Sequence, residues 1–136
     1  MSSTALNSFL SLMSAWEVAD SDARILLGRL TSEEFSVLRA AAATQVLDAN
    51  RLKRIASLLS IQRELSLLYG PSVASEWVQL PNSHPMFCRV KPLTYMLLGG
   101  VQAMSNVLRL LARRRRAAQQ TVGEDVSSPQ QLPTQD

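Results

Sequence analysis

Few side chains in this sequence are equipped for acid–base, nucleophilic or metal chemistry. His84 is the only His and Cys88 the only Cys among 136 residues. Any Ser/His or Cys/His triad would have to use His84 as its base. That residue lies in the loop Pro81-Asn82-Ser83-His84-Pro85, with no carboxylate or second ligand close by in sequence. One His and one Cys exclude a structural zinc site and leave no partner for an internal disulfide. Cys88 reads as a small packed residue. No catalytic role, metal or cofactor is assigned, and an enzyme is the least expected class because no paired acid and base share a motif.

The remaining reactive feature is charge. The net formal charge is +3, with 18% charged residues, and it is unevenly spread. Residues 1–76 carry seven basic and eight acidic groups. Residues 77–116 carry seven basic groups and no acidic one: Arg89, Lys91, Arg109 and the run Arg113-Arg114-Arg115-Arg116. The last twenty residues hold only Glu124, Asp125 and Asp136. Such asymmetry points to an acidic or polyanionic partner near the C-terminal third, or to an acidic tail over it. The arginine run could grip an acidic rim on a protein or touch nucleic acid. In the plainer reading it is a solvated helix end suited to its own dipole.

The elements that must position these groups read as helices. Strand signals are weak and no Asn-Gly or Asp-Gly dipeptide occurs. From Thr4 to about Val18, Leu6, Phe9, Leu10, Met13 and Trp16 form one face. Asp20 or Ser21 can cap a short second helix that buries Ala23, Leu26 and Leu27 and stops at Gly28. Thr31-Ser32-Glu33-Glu34 is a capping box opening a third helix to about Ala43, which buries Phe35, Leu38 and Ala42. Asp48 caps a fourth, with Leu52, Ile55, Leu59, Gln62 and Leu65 in its stripe and Leu58, Ile61 and Leu68 widening it. Gly70-Pro71 ends it, and Ser72 caps a short helix to about Val78. Pro92 opens the last helix, whose face is Leu93, Leu97, Val101, Met104, Leu108 and Leu111, and which closes on Arg113–Arg116. Leu98, Val107 and Leu110 widen that face, as a homodimer seam or a partner groove. Gly99-Gly100 is expensive inside a helix and suggests a break or a close backbone approach.

Two constellations stand out. The second and third helices, joined across Gly28, have a helix-turn-helix arrangement. The second of the pair would present Ser32, Ser36 and Arg39 to DNA, beside Glu33 and Glu34, which suit the helix dipole but oppose phosphates. Further on come Trp77, Pro81-Asn82, Pro85-Met86-Phe87, Lys91-Pro92-Leu93, Met96-Leu97 and Gly99-Gly100. In this series a short helix carries Trp77 into the core, Asn82 can bond its own backbone, and Phe87 plugs the gap before the last helix.

The run from Trp77 to about Leu111 resembles the toxin-binding domain of the Xre/MbcA/ParS family of bacterial antitoxins. The pattern is a Trp, Pro-Asn, Pro-x-Phe, Pro-Leu with Met-Leu and Gly, then an apolar helix. Ile25-Leu26-Leu27-Gly28, Leu52-Lys53-Arg54-Ile55 and Leu58-Leu59-Ser60-Ile61 resemble the Xre-type helix-turn-helix half of the same proteins. The likeness covers roughly residues 16–112. It implies an antitoxin that neutralises a RES-type, NAD-consuming toxin by packing over its active-site entrance, and in many members represses its own operon. Where the family usually has a Gly-rich turn after the Phe, this chain has Cys88-Arg89-Val90.

The expected protein is all-α. It has a helix-turn-helix-like unit (1–68), a small helical toxin-binding domain (69–116) and a disordered tail (117–136). The expected toxin contacts are Arg109, Leu110, Arg113, Arg114, Arg115, Arg116 and Val122. Expected partners are a cognate RES-type toxin, a second copy of the chain in a homodimer, and operator DNA. A DNA-binding repressor with no toxin partner is the alternative from another class. With no basic leader and no apolar run near 18 residues, a cytoplasmic protein without a membrane span is expected.

Overall fold

The structure is a computed structural model that describes residues 2–40 and 47–124, with side chains at 4–40 and 47–119. Its helices are α1 (Ser2–Ala15), α2 (Asp20–Leu26), α3 (Ser32–Ala40), α4 (Ala49–Tyr69), α5 (Pro71–Trp77) and α6 (Pro92–Glu124), with a 3-10 turn at Pro85–Phe87. The fold is all-α, with no strand among the described residues. None of these helices is long and apolar enough to cross a membrane.

Local signals explain most of the boundaries. α1 closes with Val18 N–H on the Met13 carbonyl and Glu17 N–H on the Ser14 carbonyl, which places Glu17 in the left-handed region at φ 58°. That is a Schellman ending made without glycine. Thr31 and Glu34 form the expected reciprocal cap: Glu34 N–H donates to Thr31 Oγ1 (3.0 Å) and Thr31 N–H to Glu34 Oε1 (2.8 Å). Asp48 caps α4 by accepting from Arg51 N–H at 2.8 Å. Two expected caps are corrected. Ala19, not Asp20 or Ser21, is the N-cap of α2 and makes no side-chain bond. Gly70, not Ser72, is the N-cap of α5, because Pro71 already has the φ of a first helical residue.

α4 is the central element, packed by α1, α5 and α6, while α2 contacts α3 and α6. Its buried stripe is Ile55, Leu58, Ile61 and Leu65, with Leu52 and Leu59 packed at the margin. Gln62 lies beside that stripe and accepts the Trp16 indole N–H at 2.7 Å. Trp16, Phe9 and Leu6 enter the core from α1, and Leu12 is buried where Leu10 was expected. The buried residues from Leu6 to Leu111 form one cluster, so the core continues across residue 68. Each large apolar side chain so buried contributes about 1.5–3 kcal/mol.

α6 departs most from its expected form. Gly100 holds φ 65° and ψ −143°, which interrupts the helix. Of the two expected alternatives the break is present; at Gly99 the crowding is with a side chain of the same helix, since a methyl there would lie 2.6 Å from Ala103 Cβ. The interruption shifts the buried face to Leu93, Met96, Ala103, Met104, Val107, Leu110 and Leu111. Leu97, Val101 and Leu108, expected inside, are only half-buried. Of the three residues expected to widen the face, Leu98 is 78% exposed while Val107 and Leu110 are core. The helix also continues past Arg116 to Glu124, where a tail was expected from 117. Ala117, Ala118, Gln119 and Gln120 are good helix formers and nothing stops the helix sooner. Ala42, expected in the core, lies outside the described residues, as does the rest of the expected tail from 125.

Candidate partner-binding face on the last helix

Arg109, Arg113 and Arg116 are spaced by four and three residues, which sets them on one face of α6. All three are exposed. None forms an ion pair with a carboxylate among the described residues. The other two arginines of the run turn back. Arg114 Nη1 donates to Tyr69 Oη at 3.1 Å. Arg115 Nε donates to Glu64 Oε1 in a pair whose carboxylate side is 13% exposed. The tetra-arginine run is thus divided by helical phase: two residues fasten α6 to α4, and two join Arg109 in an outward stripe.

A groove of about 360 Å³ lies between the end of α4 and α6, lined by Leu67, Leu68, Arg115, Ala118 and Gln119 and by none of the three stripe arginines. Leu67 is 57% exposed in it. Its wall is chiefly apolar, with a guanidinium at the rim.

Other residues expected to make contacts do not all fit. Leu110 is corrected: at 3% exposure it belongs to the core, because the shifted phase of α6 turns it toward α4. The Val122 side chain lies outside those described. Ser32, Ser36 and Arg39 are exposed on α3. Arg39, however, is tied to Asp20 at 2.8 Å and lies 5.2 Å over the Phe35 ring. Glu33 and Glu34 occupy the first turn of the helix and Arg39 its last. The cap hydrogen bonds from Thr31 hold the Glu34 carboxyl below its ordinary range, helped by the charge of Arg51. The face of α3 is therefore acidic at neutral pH.

His84 caps the 3-10 turn, its Nδ1 accepting from Met86 N–H at 3.1 Å, and Asn82 Oδ1 accepts from His84 N–H at 2.9 Å. Phe87 is buried and meets Trp77 and Tyr95 edge to face, at 5.7 and 5.2 Å between ring centroids. Trp77 itself is half-buried rather than a core residue. Cys88, expected to pack, is exposed. It and Arg89 both take left-handed conformations, φ 51° and 68°, which turns their side chains outward. No group of three or more His, Cys, Asp or Glu among the described residues could hold a metal.

Sequence reasoning misses Glu64, Tyr69 and the groove, because each meets α6 across more than 40 residues. It misses Gln79 as well, whose Nε2 donates to the Trp16 carbonyl at 2.9 Å. Comparison with known protein families, with curated proteins and with solved structures gave no match in any of the three.

Proposed function

We propose that this chain is a protein-binding inhibitor of the antitoxin type, which covers the active-site entrance of a RES-type, NAD-consuming toxin with the exposed face of α6. The observation that carries the reading is the exposed stripe Arg109–Arg113–Arg116, unpaired among the described residues; the apolar groove between α4 and the end of α6 is a second surface, lined by other residues. Oppositely charged rims steer encounter and fix register, while buried apolar contacts hold the complex. Inhibition by occlusion requires no chemistry on this chain. The family likeness read from Trp77 to Leu111 supplies the identity of the partner. Operator binding through α3 has less support, since Arg39 is engaged and the helix opens on two carboxylates.

The test is co-expression with a RES-type toxin, taken from an adjacent reading frame where one encodes it. Wild-type chain should restore growth. Arg109→Glu, Arg113→Glu and Arg116→Glu together should abolish the rescue while leaving helicity by circular dichroism unchanged. Undiminished rescue by a folded triple variant would overturn the assignment of this face.

A further inference from the structure

Three arginines gather at the turn between α2 and α3, two of them with their side chains over Gly28. Arg29 lies in the turn, and Arg51 and Arg54 lie on the first two turns of α4. Gly28 holds φ 127°, and a methyl there would lie 3.8 Å from Arg54 Nε and 3.9 Å from Arg51 Nε. Both arginine side chains therefore pack over the same side of the turn. Arg29 follows directly, in a left-handed conformation at φ 61°. Arg54 is fixed in place: its Nε donates to Asn50 Oδ1 at 2.8 Å and its Nη1 to the Leu26 carbonyl at 3.3 Å. Burial pulls the Arg54 guanidinium below its ordinary range, and the charge of Arg29 pulls it further.

Among the described residues, Arg29, Arg51 and Arg54 form no ion pair, and the nearest carboxylate influence is the charge of Glu34 on Arg51. Glu34 senses Arg51 but is engaged by the Thr31 amide and hydroxyl. Asp48 accepts from the Arg51 backbone amide. Like charges gathered from two elements repel one another, and a bound oxyanion would reverse the sign of that interaction. Guanidinium forks match the geometry of phosphate oxygens.

We infer that Arg29, Arg51 and Arg54 form a binding site for a phosphate group at the α2–α3 turn. Arg29 and Arg51 contribute forks with no ion-pair partner among the described residues. Arg54 contributes charge from a fixed position. The site is separate from the residues of the α6 face, and its test does not depend on a toxin. Its chemistry suits two sources of phosphate, the free ion and a phosphodiester in a nucleic-acid backbone.

Two probes separate these sources. One is inorganic phosphate, followed by thermal unfolding. The other is a fluorescein-labelled DNA duplex of about 20 base pairs and arbitrary sequence, followed by anisotropy at about 50 and 200 mM salt. Wild-type chain should respond to at least one probe. Arg29→Ala with Arg51→Ala should weaken that response about tenfold or more. If the duplex binds, the same change should lower the salt slope by about two, one per cation removed. Arg51→Gln alone, which keeps the α4 backbone cap, should give an intermediate loss and covers the case in which the double variant fails to fold. A response to phosphate alone assigns the free ion, and a duplex response assigns the backbone. The proposal is overturned if wild type responds to neither probe, or if the folded turn variants respond as wild type does. It is also overturned if only Arg109→Ala, Arg113→Ala and Arg116→Ala together abolish the response.

Discussion

Glu34 shows how much a single side chain contributes to a boundary. Its carboxylate accepts the Thr31 amide while its own amide donates to the Thr31 hydroxyl. Those bonds depress its pKa in the folded chain. A depressed carboxyl contributes stability that is present above its unfolded pKa and lost as pH falls through the folded value. Wild type should therefore melt above Glu34→Gln at neutral pH, and the gap should close as the solution is acidified below the ordinary carboxylate range. Thermal unfolding across that range checks it, and a gap that widens in acid would contradict the cap. Thr31→Ala should cost about 1 kcal/mol. This pair is legible in the sequence because both partners lie within one turn. The roles of Arg114 and Arg115 are not, since Tyr69 and Glu64 lie 45 and 51 residues away. Nor is the outward turn of Cys88, which depends on two successive left-handed residues that no side-chain type demands.

At the scale of elements, α6 gives the sharpest test. In an uninterrupted helix, replacing an interior glycine by alanine stabilises by about 1 kcal/mol. Gly100 instead sits at φ 65° and ψ −143°, where an L-residue is strained by roughly 1–3 kcal/mol. Gly100→Ala should therefore lower the urea midpoint, and a rise would show that α6 runs straight through. Two adjacent glycines amid helix formers are enough to signal the break. They do not signal its consequence. Period-3.6 reasoning assumes a continuous helix, so it puts Val101 and Leu108 inside and leaves Ala103 out of the buried face. The α3 capping box, the Asp48 cap and the Gly28 stop are all legible in the sequence, because each is a local rule.

For the molecule as a whole, the core joins α1 to α6 in one cluster. Cooperative unfolding should follow. In Trp77→Phe, Trp16 reports on the α1 side, and in Trp16→Phe, Trp77 reports on the α5–α6 side. Within each variant, urea transitions by fluorescence and by far-UV circular dichroism should share a midpoint. Separate midpoints would mean that the segments on either side of residue 68 unfold independently. The all-α class is legible from the hydrophobic period alone. The convergence of Arg29, Arg51 and Arg54 is not, because it depends on how the start of α4 meets a turn about twenty residues upstream.

The interruption at Gly100 also acts as a mount for what lies beyond it. From there to Arg116 the helix extends about 24 Å, at 1.5 Å per residue. Over that lever arm, a change of about 10° at its base would swing Arg116 through about 4 Å. The Glu64 and Tyr69 contacts act as stays near the far end. The aim of the arginine stripe thus depends on the backbone torsions of Gly100, on the packing of Ala103, Met104, Val107, Leu110 and Leu111 in the core, and on the two tethers. Substitutions at those positions would re-aim the stripe without altering any of its arginines.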